Sequence, residues 1–216
     1  VIHNKKGTNI ETGPEFVAIE GDVIEKINKI DQKSPFDDLN VSEKQTLWRN
    51  RFYVATIGSL VPRLFLSCDY NKANINQEIE NLNKKISGLT IVQSIELLSG
   101  KYMNETVRNF AVSNLKKAIP TNIQVYLLQL VQALKYEKNH DNALARYLLE
   151  IAIENPVTIG HEFFWHMRSE MHNQDVQQRF GLYLEVFLSK ISRHLFRIFR
   201  DEDTLLKNLI SIIKLI

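Results

Sequence analysis

Apolar residues recur every three or four positions along most of the chain, and this spacing predicts helices. The stripes are Val23, Ile24, Ile27 and Ile30; Leu47, Trp48, Phe52 and Ala55; Ile75, Ile79, Leu82 and Ile86; Ile91, Ile95 and Leu98; Val107, Phe110, Ala111, Asn114 and Leu115; Leu127, Leu130, Val131 and Leu134; and Leu144, Tyr147, Leu148 and Ile151. No segment alternates apolar and polar residues as a half-buried strand would. The pattern therefore predicts an all-α fold.

Capping residues and prolines predict where several of these helices begin and end. Asn40 with Glu43 three residues later is a capping-box pattern. Pro120 suits a first helical turn, and Pro156 ends the helix that precedes it. A later stripe continues over several turns and predicts one long helix through Phe180, Tyr183, Leu184, Phe187, Ile191, Leu195 and Ile198.

The predicted helices are short and joined by short breaks, which favours a layered array of helix pairs over a four-helix bundle. Residues 126–134 are apolar nearly all round, because Ile123, Leu128 and Ala133 add to the main stripe of this segment. Such a helix is buried on more than one side, as the inner helices of a stack are. The fold prediction is an irregular stack of helix pairs.

The chain divides into three predicted regions. Residues 1–34 form a polar lead-in and linker with a possible short helix, 35–200 the helical domain, and 201–216 an apolar helix that includes LLKNLISIIKLI. The chain does not begin with methionine, which favours a piece of a longer protein.

Composition narrows the class of protein. The 216 residues are 44% hydrophobic and 24% charged with a net charge of +2, which is typical of a globular domain and gives no electrostatic case for nucleic acid. A single cysteine, Cys68, excludes an intrachain disulfide and fits a reducing compartment. Neither a signal peptide nor an apolar run of about 20 residues is found, so we expect a cytoplasmic protein.

Catalytic motifs are not found in the sequence. No glycine-rich phosphate loop and no HRD or DFG motif occurs, and RFG at 179–181 lacks the aspartate that ligates magnesium. His161 and Glu162 followed by His166 resemble the HExxH zinc motif with one extra residue. A five-residue step places the two imidazoles about 140° apart on a helix, so we expect no metal site here.

We instead predict a structural seam between helices at Trp48, His161, Trp165, Arg168 and Glu170. His161, Trp165 and Arg168 share one helix face at i, i+4 and i+7. We expect the Trp165 ring to be buried, and we expect Arg168 to pair with a carboxylate from a neighbouring helix, for example Glu137 or Glu185.

Four segments carry a family resemblance: residues 42–53 (SEKQTLWRNRFY), 105–115 (ETVRNFAVSNL), 126–137 (YLLQLVQALKYE) and 159–181 (IGHEFFWHMRSEMHNQDVQQRFG). In this order they resemble the helical (PIK or accessory) domain of phosphatidylinositol 3-kinases, most closely class I, over about residues 35–185. The resemblance implies an irregular right-handed α-α superhelix, a HEAT- or armadillo-like stack of antiparallel helix pairs.

The resemblance also implies a role. The chain would be a scaffold that positions the kinase and lipid-binding domains of a parent enzyme, itself without catalytic residues or cofactor. The parent would phosphorylate the inositol 3-hydroxyl of phosphoinositides, with ATP and magnesium held in a kinase domain outside this chain. The apolar helix at 201–216 is expected to lead toward that kinase domain. Such an enzyme is cytoplasmic and is recruited to membranes as a whole.

The segment 34–44 (SPFDDLNVSEK) is a candidate partner-docking surface. In class I enzymes the similar segment presents acidic residues to an SH2 domain of a regulatory subunit. Asp38 matches the first key acidic position and Asp37 adds a charge, whereas the second position is the apolar Val41. In the alternative interpretation, Asp37, Asp38 and Glu43 favour a helix N-terminus through the helix dipole.

Other functions are open at this stage. One is a free-standing helical adaptor of the same ancestry, and another is the helical domain of a class III phosphatidylinositol 3-kinase or a phosphatidylinositol 4-kinase. Residues 126–137 resemble class III enzymes as well, whereas 159–172 resemble class I. An autonomous enzyme or metalloprotein is the third possibility.

Overall fold

The computed structural model describes residues 21–35 and 37–214, and every regular element within them is helical. The α-helices are α1 (Gly21–Asp31), α2 (Val41–Arg49), α3 (Arg51–Val54), α4 (Val61–Leu66), α5 (Ile75–Asn83), α6 (Ile91–Glu96), α7 (Glu105–Leu115), α8 (Pro120–Gln124), α9 (Leu127–Ala133), α10 (Ala143–Glu154), α11 (Ile159–Glu170), α12 (Gln174–Lys190) and α13 (Arg193–Ile213). Short 3-10 helices span Gly58–Leu60 and Leu134–Tyr136. The prediction of an all-α fold is confirmed.

Two compact units divide the chain, Val1–Asp38 and Leu39–Ile216. In the first unit, α1 buries Ile27 and Ile30 of its predicted stripe, while Val23 and Ile24 are half-buried. Residues 1–20 of the predicted lead-in and linker lie outside the described residues. The domain boundaries predicted at 34 and 200 stay predictions.

The predicted helix starts are found in the second unit. The Asn40 side chain accepts a hydrogen bond from the Glu43 amide at 2.9 Å, and the Glu43 carboxylate accepts one from the Asn40 amide at 3.0 Å. This reciprocal pair is the predicted capping box. Pro120 occupies the first turn of α8, and α10 ends at Glu154, shortly before Pro156.

Helices of the second unit pack in a layered order. α7 contacts α5, α6 and α10, while α11 contacts α9, α10 and α12. α9 contacts both α6 and α11, so it connects the group around α7 with the group around α11. This order agrees with the predicted stack of helices, and the handedness of the stack stays a prediction.

Burial of α9 differs from the prediction. Its main stripe is buried, but Leu128 is 45% exposed, so the helix is not buried all round. A turn separates α8 from α9, and α9 begins with the buried Leu127. Because successive helical residues are 100° apart, the next residue points away from the face that Leu127, Leu130 and Val131 present to the core.

The long helix predicted across residues 180–198 is two helices. α12 ends at Lys190, Ile191 has extended backbone, and the Ser192 side chain caps α13 by accepting from the Leu195 amide. This break changes the direction of the apolar stripe. Ile198 is exposed, and Phe199 is buried in its place.

Gly160 allows α11 to pack closely against its neighbours. A β-carbon at this position would lie 2.7 Å from the carbonyl oxygen of Ala152 in α10 and 3.0 Å from the Phe187 ring in α12. Both distances are too short for an unstrained contact, so a side chain here would push the three helices apart.

Candidate functional site

The predicted docking residues fall in both units. Asp37 and Asp38 belong to the first unit and are exposed. Val41 belongs to the second unit and is 72% exposed at the first position of α2. Glu43 is half-buried, and its carboxylate takes part in the capping box with Asn40. For Glu43 this contact favours the helix-stabilising interpretation.

A buried ion pair that the sequence interpretation missed joins α7 to the residues after α9. Arg108 lies 2.7 Å from Glu137, and the two side chains are only 5% and 9% exposed. The Arg108 guanidinium also donates to the carbonyl oxygens of Leu98, Tyr102 and Ala133 at 2.9, 3.1 and 3.2 Å. One side chain therefore connects the end of α6, the helix α7 and the end of α9.

Sequence features point to this pair in retrospect. Arg108 directly follows Val107 in an otherwise apolar stripe, and Glu137 ends the apolar segment 126–137. An arginine next to core positions needs a partner for its charge, because an unpaired buried charge is costly. The partner, however, lies 29 residues away and becomes evident only when the helices are packed.

The predicted polar stripe on α11 contacts α13. The Trp165 indole donates to the Glu202 carboxylate at 3.2 Å, and His161 Nε2 lies 3.1 Å from the same oxygen. Arg168 donates through Nε to Asp203 at 2.9 Å. Glu202 and Asp203 were not among the predicted site residues, although their position within an apolar helix is a usable signal.

Arg168 therefore pairs with a carboxylate of a neighbouring helix, as predicted, but neither of the two residues named as examples is the partner. Glu137 is paired with Arg108, and Arg168 binds Asp203 instead of Glu137 or Glu185. The reason is that α13 contacts α11 around Phe199 and brings Glu202 and Asp203 to this face.

Burial of Trp165 also differs from the prediction. The ring is half-buried, while Phe163, Phe164 and Met167 of the same helix are buried. The indole lies at the contact with α13, where its N–H bonds to Glu202. Amphipathic rings commonly place one edge in the core and a polar edge outside it.

Trp48, the other tryptophan of the predicted seam, is half-buried in α2. The Arg51 guanidinium lies 5.3 Å from the centroid of its ring and 5.0 Å from that of Phe52. This is the geometry of a cation–π contact. Arg51 also lies 3.8 Å from Glu78 of α5.

Glu170 lies on the side of α11 that contacts α9. Its carboxylate is 2.7 Å from Lys135 and accepts a hydrogen bond from Gln132. Burial alone would raise the pKa of Glu170, but the hydrogen bonds from Lys135 and Gln132 outweigh it and lower the pKa. About two turns earlier in α11, Glu162 accepts a hydrogen bond from Gln124 of α8 at 2.6 Å. Polar contacts thus hold α11 on two sides.

The described residues provide neither a metal site nor a membrane span. Within 21–35 and 37–214, no cluster of three or more histidine, cysteine, aspartate or glutamate side chains has an arrangement that could hold a metal ion. None of the helices in this part of the chain combines the length and apolarity needed to cross a bilayer.

Comparison with protein families identifies the fold. The model of the phosphoinositide 3-kinase family accessory domain (PIK domain) matches residues 17–200. The chain belongs to this family. The matched part of the PIK domain includes the Arg108–Glu137 pair, the whole of α11 and the first residues of α13.

Three related proteins come from Dictyostelium discoideum. Phosphatidylinositol 3-kinase 1 is 36% identical to this chain over 88% of the chain. Phosphatidylinositol 3-kinases 3 and 2 are each 29% identical to it, over 94% and 80% of the chain respectively. The chain spans only 12%, 12% and 9% of the length of these relatives.

The family assignment agrees with the resemblance drawn from four sequence segments. Two of them, 105–115 and 126–137, are the ones that the Arg108–Glu137 ion pair joins. The third, 159–181, contains α11 with its polar contacts on both sides and the close-packed Gly160. These segments of the PIK domain carry packing contacts between helices.

Proposed function

We propose that this PIK domain is a scaffold that holds the kinase and lipid-binding domains of a phosphatidylinositol 3-kinase in a fixed relation. The observation that supports it is the buried Arg108, which ties three helix ends together through one ion pair and carbonyl hydrogen bonds. Contacts of this kind limit sliding between helices, because any shift leaves a buried charge unpaired. A rigid frame is what a positioning role requires.

The parent protein in this proposal phosphorylates the inositol 3-hydroxyl of phosphoinositides. The names of the three Dictyostelium relatives support this activity. ATP and magnesium belong to a kinase domain of the parent, and this chain supplies no residue for them. The parent is cytoplasmic and reaches membranes as a whole, so this chain touches the membrane only through it.

The activity of the parent tests this proposal. The full-length polypeptide that contains this chain is expressed, and transfer of phosphate from ATP to the inositol 3-hydroxyl is measured. Arg108→Met in that polypeptide should lower lipid kinase activity, whereas Arg146→Met, at an exposed ion pair with Asp141, should leave it unchanged. Full activity of an Arg108→Met protein whose PIK domain has loosened would overturn the positioning role.

A second outcome separates the scaffold from a free-standing adaptor. If the natural polypeptide contains no kinase domain and does not phosphorylate phosphoinositides, the adaptor of the same ancestry is the correct function. The function of the chain would then be to bind partner proteins, which a pull-down with the purified chain would identify.

We also propose that the segment around Asp37 and Asp38 contacts an SH2 domain of a regulatory subunit. The exposure of both carboxylates supports this, since arginine-rich SH2 pockets bind anionic groups through charge-assisted hydrogen bonds. Val41 provides no such contact, so we expect weak binding.

Binding of the chain to an isolated SH2 domain tests this docking proposal. Asp38→Asn should weaken binding, and Val41→Glu should strengthen it about tenfold by adding a charged contact. Asp22→Asn, an exposed acidic position in α1, is the control. A phosphotyrosine peptide should release the complex. Equal binding by all four proteins, or no binding by any, would exclude this partner.

A further inference from the structure

The attachment of α13 rests on one buried side chain. Phe199 is 1% exposed and is the only buried residue among the 21 of this helix. Its ring stacks on Phe164 with centroids 4.7 Å apart, and it lies 5.7 Å from His161 and 6.0 Å from Phe187. The ring thus fills a cradle of aromatic side chains from α11 and α12.

Two carboxylates next to Phe199 complete this attachment. Glu202 meets Trp165 and His161, while Asp203 meets Arg168. The side chains of these pairs are between 18% and 42% exposed, where ion pairs contribute little stability. We call Phe199, Glu202 and Asp203 the latch.

Beyond the latch, the apolar face of α13 is largely exposed. Leu205, Leu209 and Ile213 are 60%, 49% and 70% exposed. The ring contacts and polar contacts that join this long helix to α11 therefore lie within residues 199–203.

The junction of α12 with α13 has the form of a hinge. Ile191 is extended between two helices, with φ −82° and ψ 165°, and Ser192 caps the second helix. An open groove of about 420 Å³ lies at this junction. Its lining residues are Gly181, Leu184, Glu185, Leu188 and Ser189 of α12 and Phe196 of α13.

We infer that α13 is a detachable strap, which pivots at Ile191–Ser192 and is held against α11 by the latch. Local opening requires little free energy where few apolar contacts are buried. Release of α13 removes one side chain from the core and leaves the contacts of α10, α11 and α12 with one another in place. A partner that binds α13 differently in its docked and open states would shift this equilibrium.

Native-state hydrogen exchange tests this inference on the whole chain. We expect the amides of residues 196–204 to exchange through a local opening, faster than those of α10 and α11 and nearly independent of low urea concentrations. Phe199→Ala should accelerate their exchange on the order of a hundredfold and keep it faster than that of α10. Leu205→Ala, on the exposed face beyond the latch, should leave both unchanged. Exchange of 196–204 in step with α10 in every variant would overturn the strap.

Trp165 reports the same opening by fluorescence, because its N–H contacts Glu202. In a Trp48→Phe background, Glu202→Ala should increase quenching of Trp165 by acrylamide, and Leu209→Ala should not. Glu202→Ala keeps the Phe199 ring, so it provides the test if Phe199→Ala does not fold. Equal quenching in the Trp48→Phe protein and in both variants made from it would show that α13 does not open in this way.

Discussion

Arg108 and Glu137 lie 2.7 Å apart and are both buried, and together they connect the two segments 105–115 and 126–137. The guanidinium has five N–H donors. The donors that do not bond to Glu137 bond to the carbonyl oxygens of Leu98, Tyr102 and Ala133. Removing two charges from water is costly, and only such complete pairing offsets the cost. The pair therefore acts as a unit with the backbone around it.

Arg108→Met is expected to destabilise the protein by about 3–5 kcal/mol, because Glu137 is left as a buried charge without a partner. Urea unfolding followed by circular dichroism measures this loss. Arg146→Met is the matched control, since its pair with Asp141 is exposed, and its urea midpoint should equal that of wild type. A small effect at Arg108 would mean that Glu137 gains water when its partner is removed.

Gly160→Ala is expected to destabilise the protein by roughly 1–3 kcal/mol, because the new β-carbon would overlap the Ala152 carbonyl. Gly181→Ala is the control in α12. There the nearest atom would be 3.7 Å away, in ordinary contact, so the gain in helix propensity should stabilise by about 0.5–1 kcal/mol. Thermal unfolding of the two variants gives the comparison. Stabilisation by both alanines would contradict the close packing at Gly160.

Acid is expected to remove the contribution of Glu170 and Asp203 to stability. Burial would raise the pKa of Asp203, but hydrogen bonds from Lys207 and Arg168 outweigh it and lower the pKa, as at Glu170. A carboxyl whose folded-state pKa is lowered stabilises the fold above its unfolded-state pKa. The ordinary values are 4.5 for Glu170 and 3.8 for Asp203, and the stabilisation is lost as pH falls through the lower folded-state values.

Glu170→Gln and Asp203→Asn should each reduce the free energy of unfolding by about 1 kcal/mol at pH 7. Because the wild-type carboxyls are protonated in strong acid, each variant should approach wild type as pH falls through the lowered folded-state pKa of that carboxyl. Urea unfolding across this pH range measures the difference. A difference that persists unchanged in acid would assign the effect to packing rather than charge.

Cys68 is expected to react slowly in the folded protein. Burial, together with the charge of Glu78, raises the pKa of the thiol to about 12 from an ordinary 9.0. The thiolate is the reactive form, so its fraction at pH 8 should fall on the order of a thousandfold. Alkylation by iodoacetamide should therefore be slow in buffer, normal in urea, and faster in buffer as pH rises. Equal rates with and without urea would show that the thiol is solvated.

Tertiary packing decided several features that the sequence interpretation missed. The sequence predicts a carboxylate partner for Arg168 on a neighbouring helix, and the packing of α13 makes that partner Asp203, while Arg108 binds Glu137. The apolar neighbours of Leu128 predict a buried side chain, yet Leu128 is 45% exposed, because it lies about 100° around the helix from the buried Leu127. Spacing along a helix states which residues share a face, and it does not state what that face contacts.

Local signals were sufficient for the fold class, for the capping box at Asn40 and Glu43, for the start of α8 at Pro120, and for the family. These features depend on interactions between residues that are close in sequence, so the sequence alone predicts them. The break at Ile191, the partner of Arg108 and the docking of Phe199 depend on contacts between distant helices. Only the packed structure decides these, because a buried charge or ring takes the partner that the other helices bring to it.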